Sequence, residues 1–138
     1  MSSQLVRDAM VTEPLALDAG ASAQEAAEAF GRPEVRAVLV VEDGRLVGVI
    51  TRKTLVGGVV AEGRDPARTT LREIMESPNF TIDSGMELDA AFHFLEEHDL
   101  ERVPVVEDGK LVGVLSRAVI QRRLAEDEPP PLEIVDEL

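Results

Sequence analysis

Two places in the chain set a hydroxyl beside cationic neighbours: Thr51-Arg52-Lys53 and Ser116-Arg117. Each closes a short apolar run, GVIT or GVLS, at a point where a helix is expected to begin. The first turn of a helix leaves N–H groups unpaired at the positive end of its dipole, so a hydroxyl and a guanidinium there suit a phosphate. The same hydroxyls serve equally well as ordinary N-caps, worth about 1 kcal/mol each, with the arginines solvated. Other candidates for chemistry are weaker. His93 and His98 are spaced i, i+5 and fall on different helix faces, whereas a metal-binding pair wants i, i+3 or i, i+4; both read as surface polar residues. The carboxylates of EEHDLE (Glu96 to Glu101) and AEDE (Glu126 to Glu128) read as a solvated loop and tail. Gly44 with Gly48, and Gly109 with Gly113, lack the Lys-Ser/Thr ending of a phosphate loop. No grouping of nucleophile, base and orienting residue stands out, so no catalytic role is expected.

The elements that must position these residues come in duplicate. "VEDGRLVGVITR" (Val41 to Arg52) returns as "VEDGKLVGVLSR" (Val106 to Arg117). At a constant offset of 65 residues Arg7 meets Arg72, Met10 meets Met75, Asp18 meets Asp83, Gly20 meets Gly85 and Val38 meets Val103. The register holds without a gap from Arg7 to Leu55. Two copies are too few for a solenoid and predict two similar halves about a pseudo-two-fold axis. Ala23, Ala26, Ala27 and Phe30 fall at i, i+3, i+4, i+7, as do Leu88, Ala91, Phe92 and Leu95, so each copy holds an amphipathic helix, the first capped by Ser22. A short extended piece precedes each helix: Leu15 to Leu17 and Phe80 to Ile82. Two strands follow: Ala37 to Val41 with Arg45 to Ile50, and Val103 to Val106 with Lys110 to Leu115. The intervening Asp-Gly is a strong hairpin signal, because a type I′ turn needs positive φ at both central residues. A second helix closes each copy, near Arg52 to Val60 and Arg117 to Ala125. Gly57 and Gly58 fall inside the first of these at about 1 kcal/mol each, which predicts a short or kinked helix, or close packing. The fold class is α+β: tandem β-α-β-β-α repeats, each with a small mixed sheet and helices packed on it. The divisions expected are 1–64, 65–125 and an acidic, proline-rich tail, 126–138, with Ala61 to Arg68 linking the halves.

Composition narrows the function classes. The chain has 138 residues, 44% hydrophobic but only 3% aromatic, so its core must be aliphatic. Stacking of bases on aromatic platforms is close to excluded. A net charge of −13 repels nucleic acid and anionic membranes overall. The absence of Cys removes disulfides, thiolate catalysis and Cys-based metal sites and fits a reducing compartment. No apolar run approaches the roughly 20 residues of a membrane span. A soluble, cytoplasmic protein is the expectation.

The duplicated β-α-β-β-α order, the lead-ins "VRDAMVTEP" and "LREIMESPN", "RVPVVE" before the second hairpin, and "GVIT" and "GVLS" after the hairpins together resemble a tandem pair of CBS domains, a Bateman module. The resemblance spans about residues 5 to 125. It implies a regulatory module that binds an adenosine-containing ligand (AMP, ADP, ATP or S-adenosylmethionine) between its halves. It further implies a homodimer and an unidentified regulated partner protein. The histidine spacing and the absence of Cys lead to the expectation of no metal.

Family ligand contacts, carried onto this sequence, fall in three places. The stretches leading into the first strands contribute Thr12 and Leu15, and Ser77 and Phe80. The strands after the first helices contribute Ala37, Val38 and Leu39, and Arg102, Val103 and Pro104. The starts of the last helices contribute Thr51, Arg52 and Thr54, and Ser116 and Arg117. In the family these helices begin Ser/Thr-x-x-Asp, and the Asp holds ribose hydroxyls. Here that position is Thr54 or Val119. Thr54 offers one hydroxyl; Val119 offers none, and a buried ribose facing it loses roughly 1–3 kcal/mol per unmet group. Leu39 also stands where the second copy keeps Pro104, the usual family residue. The site using copy one's Thr54 and Lys53 ranks first. A ligand without a ribose, or a ligand-independent dimerisation and interaction module, is the competing expectation.

Overall fold

The computed structural model describes residues 4–12 and 14–127. The expected tail lies outside the described residues, apart from the helical backbone of 126 and 127. The order of elements is α1 (Val6–Ala9), β1 (Ala16–Asp18), α2 (Ala23–Ala29), β2 (Val38–Glu42), β3 (Arg45–Ile50), α3 (Arg52–Leu55), α4 (Leu71–Ile74), β4 (Ile82–Asp83), α5 (Leu88–Glu97), β5 (Arg102–Glu107), β6 (Lys110–Ser116) and α6 (Arg117–Asp127). The β-α-β-β-α repeat is therefore present twice, as the spacing predicts.

Each copy forms a three-stranded mixed sheet. β1 runs parallel to β2 and β2 antiparallel to β3; β4, β5 and β6 repeat the arrangement. The two small sheets are joined. Arg45 pairs with Lys110, the Leu111 N–H donates to Gly44 O at 3.0 Å, and the result is one six-stranded sheet ordered β1-β2-β3-β6-β5-β4. The contact falls at the hairpin tips, where Arg45 Nη1 also donates to Asp108 O at 3.3 Å. Both turns have the backbone their Asp-Gly sequence demands, with φ 53° and 80° at Asp43 and Gly44, and 54° and 81° at Asp108 and Gly109.

Local signals place the helices. Ser22 Oγ accepts from the Glu25 N–H at 3.2 Å and the Glu25 carboxylate accepts from the Ser22 N–H at 3.2 Å, a reciprocal capping box. Past α3, residues Val56–Val60 continue as a π-helical turn. The glycines there are not needed for close packing: a Cβ on Gly57 would meet nothing within 4 Å, and one on Gly58 would lie 3.4 Å from Ile74 Cγ2, ordinary contact. At α4, the Thr70 N–H and hydroxyl donate to Glu73 at 3.2 and 3.0 Å, and Arg64 pairs with the same carboxylate. The Thr70 backbone bond, then its hydroxyl, hold the Glu73 carboxyl below its usual range. A depressed carboxylate stabilises the fold above its ordinary pKa, and that contribution is lost as pH falls through the folded value. No helix among the described residues is long and apolar enough to cross a membrane.

The two lead-ins, single-turn helices α1 and α4, exchange halves. Val6 and Ala9 of α1 are buried with Leu88, Leu95, Leu115 and Ile120 of the second copy. Leu71 of α4 is buried with Val38, Val40 and Ile50 of the first. The Val6 and Arg7 N–H groups donate to Met86 O and Ser84 O at 2.8 and 3.0 Å; those of Leu71 and Arg72 donate to Ala21 O and Ala19 O at 2.9 and 3.0 Å. At the repeat offset these pairs are mates, which is the expected pseudo-two-fold relation at atomic level. Val11 and Glu76, just beyond the helices, bridge to Val114 and Val49 of the opposite copy.

Candidate functional site

The exchange of lead-ins leaves two clefts, each walled by both copies. The first, about 430 Å³, is lined by Val11, Pro14 and Leu15, by Glu34 to Ala37, by Leu39 and Val49, and across the divide by Arg102, Val103, Pro104 and Val114. The second, about 250 Å³, is lined by Glu76 to Phe80, Leu100 and Arg102 to Pro104, with Val49 and Thr51 from the first copy. Many linings are repeat mates: Leu15 answers to Phe80, Val35 to Leu100, Pro14 to Asn79. The first cleft is mainly aliphatic with a few polar groups, the usual make-up of a small-molecule site, and falls in the usual size range; the second is more polar, with Thr51, Glu76, Ser77, Asn79 and Arg102 in its lining.

Of the residues expected at a site, Leu15, Ala37, Leu39, Arg102, Val103 and Pro104 come together in the first cleft. Thr51, Ser77 and Phe80 join Arg102, Val103 and Pro104 in the second. The remainder line neither. Thr12 is exposed beside Val11, which takes the place in the wall. Val38 is wholly buried in the first core. Arg52 turns back onto its own copy: its guanidinium donates to Val35 O, Phe30 O and Arg32 O at 2.8, 2.9 and 3.1 Å and lies 5.1 Å from the Phe30 ring centroid. Arg117 pairs with Glu101 at 3.0 Å.

The helix-start hydroxyls are engaged as caps. Thr51 Oγ1 accepts from the Thr54 N–H at 3.2 Å, and Ser116 Oγ accepts from the Val119 N–H at 3.1 Å. Thr54, the residue at the family's ribose position, is only 6% exposed, and its hydroxyl accepts from the Thr51 N–H at 3.1 Å and bonds Thr51 Oγ1 at 2.9 Å. It completes a capping box rather than facing either cleft. Thr51→Ala removes the cap and half of that buried hydroxyl pair. The expected loss is about 1–2 kcal/mol in a urea melt; a loss within error of zero would show that Thr51 caps nothing.

Sequence reasoning missed Glu34, Val35 and Arg36, the Val49 and Val114 mates, and Glu76 and Leu100. Val49 and Val114 were visible as repeat identities, but only the crossing of the lead-ins brings them to the cleft floor. Arg36 and Arg102 matter electrostatically. Neither has an ion pair or hydrogen bond to its side chain among the described residues, and both edge the first cleft of a strongly acidic chain. His98, expected as a surface polar residue, is exposed, and its ring lies 4.5 Å from those of Phe80 and Phe94. The described residues contain no group of three or more His, Cys, Asp or Glu placed to hold a metal.

A duplicated β-α-β-β-α unit with exchanged lead-ins and a cleft on either side of the divide defines a paired-repeat module. The sequence profile of the CBS domain matches at residues 6–61 and again at 71–126, and the chain belongs to the CBS domain family, with two such domains in tandem. It is 31% identical over 111 residues to the CBS domain-containing protein YhcV of Bacillus subtilis (strain 168), covering 80% of this chain and 79% of that protein. Among solved structures it resembles Hypoxic Response Protein I with two coordinated zinc ions (25% identity, TM-score 0.71, 91% of this chain and 100% of that one). It also resembles CBSX2 in complex with AMP (23% identity, TM-score 0.71, 88% and 96%), a likeness of fold.

Proposed function

We propose that this CBS pair is a regulatory, non-catalytic module that binds an adenosine-containing ligand (AMP, ADP, ATP or S-adenosylmethionine) between its repeats and passes the event to a partner protein. The observation that carries the reading is the first cleft. Both copies wall it, its sides are aliphatic enough to cover a base, and Arg36 and Arg102 stand at it without partners among the described residues. The AMP complex of a protein of the same fold supports the choice of ligand. Homodimerisation and a cytoplasmic location belong to the same proposal. With ligand at a hundred times its Kd, stabilisation of about 2.7 kcal/mol should raise the melting temperature by roughly 5–10 °C. A thermal melt with each of the four compounds checks this; four unmoved curves would end the nucleotide reading.

A second reading has its own support. Thr51, Thr54 and Ser116 each accept a backbone N–H in a cap, so these hydroxyls have a structural role without any ligand. Val56 and Val60 on the π-helical turn are 59% and 72% exposed. A ligand-independent dimerisation and interaction module fits these facts. Sedimentation tests it: a monomer at every concentration counts against this reading, whereas the melts above decide the first.

A further inference from the structure

We infer that Arg102 is the cation that both clefts use to hold an anionic ligand, and that sharing it makes the two clefts compete. This rests on the ligand reading above and adds how the two sites are regulated. The argument begins with charge. Arg102 opens β5 on the divide between the clefts and is the only basic residue lining both. Its guanidinium is held by no acceptor among the described residues, in contrast to Arg52 and Arg117, which three carbonyls and a carboxylate fix in place. It is exposed, so it swings between the two openings without disturbing the core.

The two clefts are not equal claimants. The first also has Arg36, so its lining carries two cations and one carboxylate, Glu34; the repeat mate of Arg36 is Glu101, whose carboxylate pairs with Arg117 and which does not line the second cleft. Among the described residues Arg102 is the sole cation of the second cleft, which Glu76 also lines. A phosphate therefore seats first in the larger cleft, between two guanidinium groups, and draws Arg102 with it. The second cleft is then left with Glu76 and no cation. Forked onto a phosphate in one cleft, the guanidinium is aimed away from the opening of the other. By linkage, an anion in either cleft lowers the affinity of the other for anions by the same factor. A neutral nucleoside does not need the guanidinium and escapes the competition.

Isothermal titration of the intact chain with AMP and with adenosine tests this. One AMP should bind more tightly than adenosine, and the second no more tightly than adenosine. Arg102→Gln should weaken the first AMP about tenfold and leave adenosine unchanged, since a hydrogen bond to a charged group is worth about that factor. In Arg36→Gln, a single AMP should still gain over adenosine, because the one remaining guanidinium serves one phosphate. Both side chains are exposed, and thermal melts of the variants confirm that the fold is kept. Two AMP molecules that both bind more tightly than adenosine, in the natural chain or in Arg36→Gln, would overturn the sharing while leaving the ligand reading intact. An Arg102→Gln variant with unchanged AMP affinity, or with equal losses for AMP and adenosine, would overturn it as well. If neither compound binds, the ligand reading itself fails, and this inference with it.

Discussion

Leu71→Ala should lower the stability of the whole chain by about 2–5 kcal/mol, the range for truncating a fully buried leucine. Leu71 has no exposed surface, and it is buried not with its own copy but with Val38, Val40 and Ile50 of the first. The substitution opens a cavity in that core. It also loosens α4, whose Leu71 and Arg72 N–H groups are bound to Ala21 O and Ala19 O. Because the lead-ins tie the halves together, the loss should appear as one cooperative transition at a lower urea midpoint. A loss below about 1 kcal/mol would mean that Leu71 does not sit in the first core and that the exchange of lead-ins is wrong.

Gly48→Ala should cost about 1–3 kcal/mol through overpacking. A Cβ built on Gly48 lies 2.4 Å from Met75 Sδ and 2.8 Å from Met75 Cβ. The sulfur can swing away, but the Cβ moves only with the backbone of the exchanged segment. The mate position repeats the arrangement: at Gly113 an added Cβ lies 2.8 Å from both Met10 Sδ and Val11 O. Adding Met75→Ala to Gly48→Ala removes the overlaps with Sδ and Cγ and leaves the one with Cβ, so the double variant should lose less than the sum of the single ones, as expected for residues in contact. Strict additivity in urea melts would separate the two residues and remove this explanation for the paired glycines.

These two effects mark where reading the sequence ends. The repeat offset aligned Gly48 with Gly113 and Met10 with Met75, and so placed all four as recurring features. It gave no reason to join the glycines to the methionines, because each contact runs between a lead-in and the hairpin of the other copy. The first glycine of each pair was legible, since an Asp-Gly turn is a local demand on φ. The second is explained only by what crosses over it.

The candidate site divides in the same way. Strand and helix periodicity, the turns and the Ser22 cap are set within a few residues of chain, so sequence determined them, and motif spacing was enough to reach the CBS family. Helix-start hydroxyls were legible as two equal options, cap or phosphate contact. In the fold Thr51, Thr54 and Ser116 all cap, Thr51 also lines the second cleft, and Arg52 is turned back onto Phe30, Arg32 and Val35. It also put Arg102, with Val49, Val103 and Pro104, on both clefts. Periodicity reports which face of an element is buried, but not which copy supplies the surface that buries it. That choice rests on contacts between residues far apart in the chain, such as Val11 with Val114 and Leu71 with Ala21, and it alone set the walls of the clefts.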